Sequence, residues 1–195
     1  VPAVLWELAQ AASEAGDERQ SIDALVCLTG LQPRVASGWF LLAKELRNAG
    51  RPAEAWRADL SGVHAASHDP DLLRAAVAMK ADRFDDAEAI LNARLEGLPD
   101  DPPVIRLLGE ISWRRGDMTE ALELVERAVR IAPGFDLARD FLVRLLMQTN
   151  RLPEALTHAE ALSESPVPMP GHDLILASVA AAMKTVKIQR KNQKY

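Results

Sequence analysis

The chain lacks the patterns from which disulfides, nucleic-acid-binding faces and catalytic sites are usually made. A single cysteine, Cys27, stands among 195 residues, so an internal disulfide is excluded. Its place one residue before an expected core position predicts a buried free thiol, and a reducing, cytoplasmic setting fits. The formal charge of -5 offers no basic face to neutralise phosphates, so a nucleic-acid partner is not expected. No run of about 18 apolar residues is present, and no basic segment followed by an apolar one opens the chain. Neither a membrane span nor a signal peptide is therefore expected. Gly-rich phosphate loops, a nucleophile elbow, paired-cysteine metal motifs and a metalloprotease-type helix are missing. The expectation is a non-enzymatic chain without cofactor or metal.

What is there is alanine, leucine and charge. Apolar residues make up 48% and charged ones 26%, the balance of a globular protein. Aromatics are only 5%, runs of β-branched residues are absent, and the propensities point to helix throughout. One stretch, Gly116 to Pro133, has parts that recur along the chain. Its Ala121 has counterparts at Ala155, Ala87 and Ala55, with separations of 34, 34 and 32 between neighbours. A turn glycine recurs at Gly16, Gly50 and Gly116, with Asn150 in the next place, and Pro33, Pro99 and Pro133 close units. A period of about 34 residues with helix, turn, helix, a small residue in the second helix and a closing proline resembles the tetratricopeptide repeat (TPR) family. The resemblance implies an all-α, right-handed superhelical α-solenoid of TPR helix-turn-helix repeats.

Five units are expected, at about 2-35, 36-67, 68-101, 102-135 and 136-169, followed by a terminal helix at 172-185, all in one solenoid over 2-185. The first carries Leu5, Leu8, Ala9 and Ala12, then Ile22, Leu25 and Leu28, at helical spacing. In the second, Asp59 and Gly62 fall where apolar residues are usual and the unit is two residues short, which predicts loose or shifted packing. The third is ambiguous by one residue in its first helix, where Leu72, Ala75, Ala76 and Met79 form a stripe that requires a shortened turn before Arg83. Gly109 in the fourth predicts close approach of the paired helix. Arg139 departs from the pattern in the fifth, which ends at Pro166, Pro168 and Pro170. The terminal helix, with Leu174, Leu176, Val179 and Ala180, is expected to cover the last repeat, as solenoid ends require. Four of the six lysines lie from Lys184 onward, and 186-195 reads as a basic tail, disordered or foreign to the domain.

His64 and His68 share a helix face at the i, i+4 spacing of metal ligands. With only Asp71 nearby as a third group, they read instead as polar residues at a helix end. The TPR resemblance implies a concave groove lined by the first helices, at roughly positions 2, 5, 9, 12 and 13 of each repeat. Transferred by alignment, these give Trp6, Gln10 and Glu14, then Phe40, Lys44, Arg47 and Asn48. Met79 and Lys80 follow, then Arg106, Glu110, Trp113 and Arg114, and last Asp140, Arg144, Met147 and Gln148. Six of these are basic and three acidic, against the overall charge. Arginine suits bidentate contact with carboxylates. The expected partner is a protein or peptide, acidic or with a free C-terminal carboxylate, and a homo-oligomer through uncapped ends is a further possibility. The text of the fourth and fifth units is also similar to bacterial proteins in which TPRs precede a sulfotransferase domain. That resemblance implies repeats that present an acceptor to a catalytic part elsewhere.

Overall fold

The computed structural model describes the backbone of residues 2-165 and 171-192, and side chains as far as Thr185. Eleven helices and no strands are found among the described residues: α1 (Pro2–Glu14), α2 (Glu18–Leu31), α3 (Ala36–Asn48), α4 (Pro52–Ser67), α5 (Pro70–Lys80), α6 (Phe84–Gly97), α7 (Pro102–Arg114), α8 (Met118–Ile131), α9 (Asp136–Gln148), α10 (Leu152–Ser163) and α11 (His172–Asn192). They pair as the repeats predict, α1 with α2 through α9 with α10. Each pair turns at a residue of positive φ: Gly16, Gly50, Asp82, Gly116 and Asn150. Asp82 fills the place for which the sequence offers no glycine, since aspartate, like asparagine, tolerates the left-handed region.

The second helices start in two ways. Asp17 and Asp117 cap α2 and α8 by accepting from the amides of Gln20 and Glu120. In α4, α6 and α10 an arginine stands at the cap and pairs with an acid three residues on: Arg51 with Glu54, Arg83 with Asp86 and Arg151 with Glu154. The Glu54 and Glu154 carboxyls are held below their ordinary range by the hydrogen bond from that arginine. Gly109 permits the close approach expected of it, because a Cβ there would lie 2.7 Å from a methyl of Val125.

The chain divides into two compact units, 1-135 and 136-195. In the first, one core joins the first two pairs through Ala9, Leu25, Leu28, Leu42, Ala43 and Ala58. A second core joins the third and fourth through Leu72, Ala75, Leu91, Val104, Leu108 and Ile111. Helix α2 lies along α3 and α6 along α7, but α4 scarcely meets α5. The connections explain the difference. Segments 32-35 and 98-101 join α2 to α3 and α6 to α7, whereas the longer α4 leaves only His68 and Asp69 before α5. Helices α1, α3 and α5 start evenly, at Pro2, Ala36 and Pro70. The missing two residues therefore belong to α5, which has 11 where α3 and α7 have 13. That placement corrects the sequence expectation, which puts the shortfall in the second unit.

The shift expected around Asp59 and Gly62 is real, but the packing there is not loose. The Phe40 ring fills the space beside Gly62, where a Cβ would come within 3.0 Å of it. It also meets the Phe135 ring, with centroids 4.9 Å apart. Buried Asp59 pairs with Arg47, and both side chains close over Gly134. Segment 132-135, after α8, thus sits on the second pair, and α3 touches α7 and α8. A second anchor lies at the joint. Asp69 caps α5 by accepting from the amides of Asp71 and Leu72, and Arg94 of α6 donates to Asp69 at 2.5 Å and to Asp101 at 2.6 Å. Asp101 is fully buried, and burial pushes its carboxyl above the ordinary range against the pull of Arg94.

In the second unit α9 and α10 bury Leu142, Val143, Leu145, Leu146, Ala155, Ala159 and Leu162. Arg139, out of pattern in sequence, reaches the Nδ1 of His158 at 3.2 Å, and burial lowers its pKa. Helix α11 packs on α10 as expected, burying Val179 and setting the Nδ1 of His172 at 3.0 Å from the Leu162 carbonyl. The helix runs to Asn192 rather than ending at 185, so the basic segment begins as helix. Its side chains from 186, residues 193-195, and Pro166, Pro168 and Pro170 lie outside the described residues.

Candidate functional site

The expected groove residues have different fates in the structure. Phe40 is wholly buried between Gly62 and Phe135, and its ring belongs to the core rather than to a binding surface. Met79 is buried as well. Arg47 is committed to Asp59. Along α7, Arg106 and Arg114 both pair with Glu110, at 3.2 and 2.8 Å, and Arg114 also donates to the Met79 carbonyl at 3.3 Å. In the second unit Arg144 pairs with Asp140 at 3.0 Å, while Met147 is half-buried and Gln148 exposed. Trp113 is half-buried, and Asn48 and Lys80 are exposed. Three of the six basic positions, Arg106, Arg114 and Arg144, are therefore engaged by carboxylates of their own helices at the i, i+4 spacing that favours such pairs, and Arg47 by Asp59 of α4.

One group of the expected residues does come together. Trp6, Gln10, Ser13 and Glu14 of α1 and Leu41 and Lys44 of α3 line one side of a cleft of about 190 Å³, which Asp100 and Ile131 complete from the ends of α6 and α8. Asp100 is already paired with Arg127 at 2.8 Å. Ser13 donates to the buried carboxylate of Glu45 at 2.9 Å, which holds α1 against α3. Lys44 makes no ion pair among the described residues, so its ammonium is the available cation of the cleft. Sequence alignment supplied Trp6, Gln10, Glu14 and Lys44. It missed Asp100 and Ile131, which come from the ends of α6 and α8, elements that the aligned first-helix positions do not include.

Two further expectations are revised or resolved. Cys27 is exposed rather than buried. It lines an open pocket of the first pair with Leu5, Leu8 and Ala24. His64 and His68 stack with centroids 4.4 Å apart, and the His68 Nδ1 lies 2.9 Å from the His64 carbonyl, which makes His68 part of the α4 terminus. No described helix is long and apolar enough to cross a membrane.

Nothing among curated proteins matches the sequence. Solved structures do match by fold. PilF of Pseudomonas aeruginosa is 15% identical, with 94% of this chain and 84% of that one covered at a TM-score of 0.51. The type IV pilus biogenesis factor PilW is 17% identical, with 95% and 87% covered at 0.51. At such identities the likeness carries the fold alone. Two family models, each described as tetratricopeptide repeat, match residues 72–134 and 112–166. They span the third, fourth and fifth pairs, and the first two pairs repeat the same turn and spacing: the chain belongs to the tetratricopeptide repeat family, and its described residues form all-α helix pairs.

Proposed function

We propose that the chain is a protein-interaction module and that the cleft of the first unit receives a partner segment carrying an acidic side chain or a terminal carboxylate. The observation that carries this reading is Lys44, a cation without an ion pair placed beside Trp6 and Leu41. Trp6 offers a broad apolar surface to a side chain of the segment, Gln10 offers an amide to its backbone, and Lys44 takes its carboxylate. A hydrogen bond to a charged group contributes about 1.5–3 kcal/mol. The paired arginines of α7 and α9 need a partner strong enough to displace Glu110 or Asp140, and they stand outside the site.

Calorimetric titration against acidic and neutral peptides, each with a free or an amidated C-terminus, tests the reading. Acidic or free-carboxylate peptides should bind, and Lys44→Glu should weaken them about tenfold or more, which is about 1.4 kcal/mol. Arg144→Ala should leave the affinity unchanged. Binding that ignores Lys44→Glu and Trp6→Ala, or no binding by any peptide, contradicts the site.

A further inference from the structure

One face of the third pair is exposed where the corresponding position in the second, fourth and fifth pairs is buried. Counting back five residues from the turn residues Gly50, Asp82, Gly116 and Asn150 gives Glu45, Val77, Ile111 and Leu145. Their exposures are 3%, 61%, 2% and 0%. Leu73, one turn earlier on α5, is 51% exposed, while its counterpart Leu107 is 7%. Around them Leu73, Val77, Ala78, Ala89 and Ile90 line an open hollow of about 600 Å³, which Arg74, Arg83 and Asp86 border. In α7 the equivalent face is covered by α6, the second helix of the preceding pair. The helix in that position for α5 is α4.

Helix α4 is long by the amount the connection is short. It has 16 residues where α2, α6 and α8 have 14, and two linking residues where α2 and α6 are followed by four. Unwinding Ala66 and Ser67 would make both lengths regular. The residue three before the following first helix is Pro33, Pro99 or Pro133 in the other pairs, and here it is Ser67. The proline that stops the second helix is what this joint lacks. Meanwhile the face of the second pair that would meet α5 holds segment 132-135 through the Phe40–Phe135 and Arg47–Asp59–Gly134 contacts. Asp69 stays fixed to α6 through Arg94, which leaves His68 as the pivot.

We propose that the first unit is a two-state element. In the second state Ala66 and Ser67 unwind, segment 132-135 leaves α3 and α4, and α4 stacks on α5 over Leu73, Val77 and Ile90. The cleft has Lys44 and Trp6 on one side of this contact and Asp100 and Ile131 on the other, so restacking takes it apart. A partner held in the cleft therefore favours the clasped state, by as much as its affinity differs between the two. The two states do not depend on the proposed function; only this coupling does.

The test is thiol labelling at position 77 in the full chain carrying Cys27→Ser and Val77→Cys, without any peptide. With Ser67 in place the thiol should react as fast as one introduced at exposed Leu31. Ser67→Pro, which restores the stop and removes an amide that the last turn of α4 uses, should slow it by roughly tenfold or more, with far-UV circular dichroism retained and Leu31→Cys unaffected. Adding Leu73→Glu should restore fast labelling by charging the buried face. Phe135→Ala, which releases the clasp from the other side, should act in the same direction and stands in if the proline variant does not fold. Unchanged labelling in a helical variant overturns the proposal. So does protection that rises with protein concentration, because a second copy would then be covering the face.

Discussion

Helices α6 and α7 and helices α4 and α5 make the same kind of joint from different lengths of chain. At the first, a four-residue connection closed by Pro99 lets the second helix of one pair lie along the first helix of the next, and Ile111 leaves solvent. At the second, α4 continues to Ser67, two residues remain, and Val77 stays in water. Hydrophobic character does not separate the joints, since valine and isoleucine occupy equivalent places. At these two joints, the second helix that stops earlier is the one that stacks on the next pair. The second pair then finds its contact at the far end of the unit, on Gly134 and Phe135.

Substitutions can break this comparison at successive levels. The largest loss is expected from Arg94→Ala, which leaves Asp101 and Asp69 buried without their cation. Breaking such a pair costs about 3–5 kcal/mol, read as a lower urea midpoint. Ile111→Ala should cost about 2–5 kcal/mol, while Val77→Ala at the equivalent place should stay within about 0.5 kcal/mol. Equal losses at the two positions would mean that α5 is covered after all. Gly62→Ala should cost about 1–3 kcal/mol by crowding the Phe40 ring, less what alanine gains over glycine in a helix. Phe40→Leu, in the same chain, should recover part of the loss. The smallest effect belongs to the exposed caps. Because Arg51 and Arg151 hold Glu54 and Glu154 below their ordinary range, the contribution of these pairs is present above that range and fades as pH falls through it. The stability difference between the native chain and the Glu54→Gln, Glu154→Gln double variant should therefore shrink on acidification.

Period, helix pairing and turn positions were legible because they are local. Glycine or asparagine after each first helix and small residues such as Gly109 have meaning within a single repeat. The turn residue of the third pair, Asp82, went unread, because an aspartate announces a left-handed turn less clearly than a glycine. The site was less readable for two reasons. Phe40 became core only through Gly62 and Phe135, contacts that no periodic rule supplies. The basic positions were read one by one, although Arg106, Glu110 and Arg114 already stood at i, i+4 spacing in the sequence and Asp140 stood so before Arg144. Cys27 was assigned to the core because its neighbour Leu28 is buried, but a helix face one residue away looks toward the open pocket of the first pair.

The claim on which the rest depends is that the second pair is held by the Phe40–Phe135 contact in place of stacking on α5. A double-mutant cycle of Phe40→Leu and Phe135→Leu, read by urea unfolding, measures that contact directly. The two losses should be non-additive by about 0.5–1.5 kcal/mol, as for a close aromatic pair. Additive losses would mean that the rings act independently and that the clasp does not hold the unit together.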